Sequence, residues 1–134
     1  MMITYKTLEQ GREFYVLMGP FLVSRAVRRE LGIAISSDEH YRWVLALDGD
    51  TVAGFAAVEL YGDTAQLRHV YVVPEYRGRG VCSELVEAHE EIARKAGFAS
   101  IEAVVAPTLR ALLDKRGYEQ VGNRGKYAIM EKSL

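Results

Sequence analysis

The chain has 134 residues, a mass of 15.0 kDa and 17 basic against 18 acidic side chains, so there is room for one ordinary domain with a formal charge of −1. An apolar fraction of 49% and a charged fraction of 26% exclude disorder, collagen-like repeats and coiled coil, and no apolar run approaches the roughly 20 residues of a membrane span. Near-neutral charge argues against gripping nucleic acid by bulk electrostatics, and Cys82, the one cysteine, cannot form an internal disulfide or a cysteine-rich zinc site. The opening Met1-Met2-Ile3-Thr4-Tyr5-Lys6 shows no charged leader before an apolar run. The expectation is a single domain over residues 1–134, in a reducing cytoplasm, with no membrane partner.

Residues 8–17 and 22–31 have helical patterning, split by Gly19-Pro20, and the second segment has one strongly basic side. Ser36-Ser37-Asp38-Glu39 reads as loop or helix start. The run Trp43-Val44-Leu45-Ala46-Leu47 has strand length, and Asp48-Gly49-Asp50 turns it into a second strand over 51–60. After Tyr61-Gly62-Asp63, residues 65–73 make a third strand, which Pro74 stops. Gly78 and Gly80 punctuate a loop. Beyond it Val81, Leu85, Ala88, Ile92 and Ala96 recur at helical spacing. Glu84 and Glu87 early and Arg94 and Lys95 late suit the helix macrodipole. Glu90 with Arg94, and Glu91 with Lys95, have i,i+4 spacing, and Gly97 is placed to end the helix. A strand over 100–106, a short helix over 109–116 closed by Gly117, and strands over 118–121 and 127–131 around Asn123-Arg124-Gly125 complete an ααβββαβαββ order. There is no internal repeat and no low-complexity tract.

Chemistry concentrates in His69-Val70-Tyr71-Val72-Val73-Pro74-Glu75-Tyr76-Arg77-Gly78-Arg79-Gly80-Val81-Cys82-Ser83. A strand runs into a loop, and the loop opens a helix. Glycines there let a ligand approach the backbone and expose several N–H groups, and the helix start adds partial positive charge. Together they favour an anion, most naturally phosphate, to which Arg77 and Arg79 can add charge-assisted bonds. The mononucleotide P-loop needs Gly-Lys-Ser/Thr, which is absent. The dinucleotide fingerprint needs glycine where Ser83 stands; Glu102 does lie about twenty residues on, but only one strand-helix-strand unit surrounds the motif.

The segment resembles the acyl-CoA motif of the GNAT acetyltransferase superfamily, R/Q-x-x-G-x-G/A, over Arg77-Gly78-Arg79-Gly80-Val81-Cys82. The element order, the Gly117-Tyr118-Glu119 step and the closing Met130-Glu131-Lys132 are similar to the family across most of the chain. The resemblance implies an α/β (α+β) GNAT-like fold: a mixed, mostly antiparallel central sheet flanked by helices. It implies an acyl-CoA-dependent N-acetyltransferase with acetyl-CoA as co-substrate, no metal, and a small-molecule or protein amine as acceptor. The pantetheine would pair with backbone around Val70, Tyr71 and Val72. The pyrophosphate would rest on N–H groups of Arg77, Gly78, Arg79, Gly80, Val81, Cys82 and Ser83. A backbone N–H near Val72 would polarise the thioester. Homodimers are common among relatives; nothing in these residues fixes an oligomeric state.

Three departures qualify the likeness. Cys82 stands where the family usually has glycine or alanine. The family's asparagine before the last helix and tyrosine within it fall at Ala106 and Leu113, so the usual thiolate-protonating tyrosine is missing. A non-catalytic acyl-CoA-binding or protein-interaction module on the same fold is the rival reading. Glu102 is the candidate general base by analogy with some relatives, and Glu59 is a second choice. His69 and Tyr71 share one strand face and are candidates for a proton carrier or acceptor wall, against ordinary packing. A helix N-terminus would lower the pKa of Cys82, but a packed small residue fits it better than a nucleophile. His40 and His89 read as surface residues without metal spacing. Arg25, Arg28, Arg29 and Arg42 form either a solvated basic face or a border to an acidic or nucleic-acid acceptor. Arg110, Lys115, Arg116, Arg124 and Lys126 read as solvated, some within reach of a cofactor 3′-phosphate.

Overall fold

Ile3, Tyr5 and Thr7 alternate with Thr4, Lys6 and Leu8, and this period-two pattern forms a first strand, β1 (Ile3–Leu8). Leu8, expected to open the first helix, instead ends this strand, whose one fully buried residue leaves its apolar alternation weak. Its backbone lies antiparallel along β2 (Tyr41–Asp48), with Ile3 opposite Asp48 and Leu8 opposite Trp43. The computed structural model describes residues 2–134 of the chain. Helices α1 (Arg12–Leu22) and α2 (Arg25–Leu31) follow β1. They do not part at Gly19-Pro20: Pro20 sits inside the last turn of α1, where its missing N–H removes only one intrahelical bond. The break falls at Ser24, whose hydroxyl accepts the Val27 N–H at 3.2 Å and caps α2.

Strands β2, β3 (Thr51–Glu59) and β4 (Ala65–Val72) form an antiparallel meander. A single 3-10 turn at Pro74–Tyr76 leads through the glycine loop to α3 (Val81–Lys95). Then come β5 (Ser100–Val105), α4 (Pro107–Lys115), β6 (Glu119–Arg124) and β7 (Tyr127–Ser133). The seven strands lie in the order β1-β2-β3-β4-β5-β7-β6. Only β4 and β5 pair in parallel. The fold is therefore the expected mixed, mostly antiparallel sheet flanked by helices, with β1 added ahead of the ααβββαβαββ order.

The two sheet faces have different partners. Phe14 and Met18 of α1 and Val27 of α2 pack on Trp43, Leu45, Phe55 and Tyr71. On the other face α3 lays Val81 and Leu85 against Val44, Ala53, Ala56 and Val72. Farther along it, Val86 and Ala93 join Ile101, Ala103, Met130 and Leu113 of α4. In β4 the pairing with β3 slips between Ala57↔His69 and Val58↔Leu67, leaving Arg68 as an extra residue. The slip turns Leu67 toward α3 and His69 and Tyr71 toward α1 and α2, although all three numbers are odd.

Two side chains expected at the surface or in local pairs belong to the interior. His89 is completely buried on the sheet-facing side of α3. Glu90 is buried beside it and pairs not with Arg94 but with Arg116 and Lys132. Arg94 turns to Glu91 instead, at 2.6 Å. The reason is helical phase: Leu85, Val86, His89, Glu90 and Ala93 lie on the face that α3 presents to the sheet. Arg116, expected to be solvated, is consequently half-buried.

Candidate active site

Parallel pairing of β4 with β5 covers only Ala65↔Ile101, Gln66↔Glu102 and Leu67↔Ala103. From Arg68 onward the two strands diverge, and β4 keeps a neighbour on one side only. The Val73 N–H donates to Ala53 on the β3 side at 2.8 Å. Because successive backbone groups point to opposite edges, the amides of Val70 and Val72 point away from β3 into the opening. The Val72 carbonyl is taken by Nε of Arg77 at 2.8 Å. That leaves both valine N–H groups and the Val70 carbonyl to receive an extended ligand.

The loop that follows is held at both ends. Tyr76 donates its hydroxyl to Asp48 Oδ2 at 2.7 Å, tying the loop to the β2–β3 hairpin. Gly78 and Gly80 have φ of +77° and +81°, a conformation that costs other residues about 1–2 kcal/mol. A Cβ at either glycine would meet nothing within 4 Å, so the backbone conformation, and not crowding, selects glycine there. Gly80 caps the start of α3, directing the first helical N–H groups at the space above the loop.

Strand edge, loop and helix start open on one cavity of about 600 Å³. Of the residues singled out for the cofactor, Val70, Tyr71, Val72, Arg77, Gly78, Gly80, Val81, Cys82 and Ser83 line it, and Arg79 does not. The far wall is α4, through Thr108, Leu109 and Leu112. Leu113, at the family's tyrosine position, is fully buried in the core instead. Glu30 and Leu31 of α2 close the remaining side; the sequence reading missed both, because α2 comes near the loop only through tertiary packing.

The catalytic candidates are dispersed. Tyr71 lines the cavity and stacks on Phe55 at 5.5 Å. Burial, then the nearby Glu30 carboxylate, raises the pKa of its phenol, which therefore stays protonated at neutral pH. His69 does not line the cavity. It is buried, stacked on Trp43 at 5.7 Å, and its Nε2 accepts the Ser36 N–H at 3.3 Å. Burial pushes its pKa down to about 4, so the ring is neutral. Cys82 is partly buried against α3's packing cluster, and burial raises its thiol pKa, the opposite of the helix-terminus expectation.

Glu102 sits one pair before β4 and β5 diverge. The register extends its row across five strands: Glu59, Gln66, Glu102, Glu131 and Glu119 are successive partners. Directly paired residues leave the same face of a sheet, so four carboxyl groups share the face opposite α3. Arg68 pairs with Glu59 at 2.8 Å. Among the described residues no three His, Cys, Asp or Glu side chains converge to hold a metal, and no helix is long and apolar enough to cross a membrane.

A mostly antiparallel sheet whose single parallel pair opens beside a glycine-headed helix defines a transferase fold of the GNAT type. The chain belongs to the Acetyltransferase (GNAT) family, whose model matches residues 8–118. It is 30% identical over 98 residues, 69% of its length, to the uncharacterized N-acetyltransferase YjgM of Escherichia coli strain K12, and spans 59% of that relative. Its fold is similar to that of the PaiA N-acetyltransferase of Thermoplasma acidophilum, solved in complex with coenzyme A, with TM-score 0.73, 18% identity and full coverage of both chains. It is also similar to the ribosomal-protein-S18-alanine N-acetyltransferase of Escherichia coli, with TM-score 0.78, 18% identity and coverage of 99% and 94%.

Proposed function

We propose that this chain transfers an acetyl group from acetyl-CoA to an amine by direct attack in a ternary complex. One observation carries the reading: the open edge of β4, the left-handed glycine loop and the start of α3 face one cavity of about 600 Å³. Edge amides suit the peptide-like pantetheine, and converging N–H groups at a helix start suit its diphosphate. The Val72 N–H, directed into the opening, donates to the thioester oxygen as negative charge develops there. The amine nitrogen forms a bond to the acyl carbon and the carbon–sulfur bond breaks. The amine's extra proton passes to Glu102, directly or through water. Tyr71, whose side chain lines the same cavity, is our candidate to return a proton to the departing thiolate, in the role that the family's α4 tyrosine leaves open here. With Glu59 paired to Arg68, the carboxyl groups of Glu102, Glu131 and Glu119 give the adjoining sheet face a negative potential that favours an acceptor arriving as ammonium.

The rival reading, a cofactor-binding module without turnover, is favoured by the leucines that α4 presents to the cavity. Release of free thiol from acetyl-CoA across a panel of amines separates the two. Cofactor binding itself is tested by calorimetry with CoA on the wild type, Gly80→Glu and Gly80→Ala. Both variants carry the same backbone strain, and only glutamate adds bulk and negative charge to the phosphate position. Binding is expected to be lost in Gly80→Glu and retained, weaker, in Gly80→Ala. A Gly80→Glu protein that binds CoA like the wild type overturns the assignment.

A further inference from the structure

We propose that Glu30 is a built-in competitor for the cofactor's diphosphate: it holds Arg77 while the site is empty, latching α2 to the phosphate loop, and is displaced when the nucleotide binds. The proposal rests on the acyl-CoA reading given above. Among the residues lining the cavity Arg77 is the one cation and Glu30 the one anion. Nη2 of Arg77 meets Glu30 Oε2 at 2.6 Å. The same guanidinium gives Nε to the Val72 carbonyl and lies 5.5 Å from the centre of the Tyr71 ring. The side chain that heads the glycine loop is thus turned back along β4 toward α2.

A carboxylate on the wall of an anion site opposes the ligand unless it is neutralised. A diphosphate carries more charge than one carboxylate and also collects the loop N–H groups, so it outbids Glu30 for the guanidinium. The Nε bond to Val72 lets the guanidinium swing without leaving the site. Few other contacts hold α2: of its seven residues Val27 is buried, and half-buried Leu31 packs against the same cluster. Losing the Arg77 contact therefore loosens its C-terminal end, which borders both the cavity and the face beside Tyr71.

The test titrates CoA into the wild type, Glu30→Gln and Glu75→Gln by calorimetry, and follows amide exchange in residues 25–31 with and without CoA. Glu75 lies in the 3-10 turn outside the cavity lining, so its variant removes the same charge without touching the latch. A half-exposed ion pair contributes up to about 1 kcal/mol, so Glu30→Gln should tighten CoA binding about two- to fivefold. Glu75→Gln should leave it unchanged. CoA should speed exchange in α2 of the wild type, and in Glu30→Gln that exchange should be fast from the start. Unchanged or weaker CoA binding by Glu30→Gln, equal tightening in Glu75→Gln, or slower α2 exchange on adding CoA to the wild type overturns the latch alone. Failure of all three proteins to bind CoA overturns the acyl-CoA reading and the latch with it.

Discussion

Arg116 and Glu90 face each other across the join between α4 and α3, with Nη2 donating to Oε1 at 2.6 Å. Lys132 of β7 reaches the same oxygen at 3.1 Å. Glu90 is 2% exposed. Burial pushes its carboxyl pKa up, and the hydrogen bonds from Arg116 and Lys132 outweigh this and bring it below the usual range. The pair thereby fastens α4, the helix that walls the cavity, to α3, the helix that heads the phosphate loop. Arg116→Met should cost about 3 kcal/mol in urea unfolding, because a buried carboxylate loses its closest partner. Adding Glu90→Leu should recover part of that loss, since two apolar side chains need no pairing. A single variant that unfolds within about 0.5 kcal/mol of the wild type, roughly a third of one pKa unit, would show that Lys132 alone suffices.

Two buried histidines, His69 and His89, should make the fold sensitive to acid. His69 and His89 are each pushed by burial to a pKa of about 4 from 6.5, and neither ring nitrogen of His89 nor Nδ1 of His69 has a hydrogen-bond partner. The unfolded chain binds protons at these rings more readily than the folded one. Their neutral burial is thus fully tolerated above pH 6.5, and stability falls as pH drops from 6.5 toward 4. Each ring contributes about 3 kcal/mol to that loss when the shift is fully expressed. Glu90, with its lowered pKa, adds loss in the same direction at lower pH. Thermal unfolding at pH 7.5 and 5.0 should show a large drop in midpoint for the wild type and a smaller one for His89→Leu. Equal drops in the two proteins would locate the acid sensitivity elsewhere.

Where a residue's role depends on its immediate neighbours, the chain could be read directly. The meander strands, α3 and the glycine loop all announce themselves through local period or turn chemistry, and nine of the residues singled out for the cofactor meet in one cavity. Roles set by tertiary packing were not legible. β1 is an edge strand whose half-exposed alternation carries little signal. Glu90 sits at i,i+4 spacing from Arg94, and only the position of α3 on the sheet turns it to Arg116 instead. Glu30 belongs to a helix forty-seven residues away from Arg77 in the chain. The β4 bulge hides from pattern reading for a related reason: inserting one residue reverses the facing of every later side chain.

Gly54 shows how closely β3 must approach β4 for the open edge to exist. It lies opposite Val72, and a Cβ there would come 2.7 Å from the Tyr71 carbonyl oxygen and 3.3 Å from the Val72 Cα. Both obstacles are backbone, so neither can rotate aside. Leu85 of α3 stands 3.4 Å away on the same side, closing the third direction. Gly54→Ala must therefore push β4 outward at Tyr71 and Val72, the residues whose backbone borders the cavity. Overpacking of this kind costs about 1–3 kcal/mol, and the displacement should also weaken CoA binding by misplacing the Val72 N–H. Ala53→Gly, one residue earlier, serves as the contrast: it loosens the same strand without moving β4 toward the cavity. The expected result is that both variants lose stability but only Gly54→Ala loses CoA affinity beyond what its unfolded fraction explains. Equal affinities for folded Gly54→Ala and wild type would mean that the edge amides of β4 do not hold the cofactor.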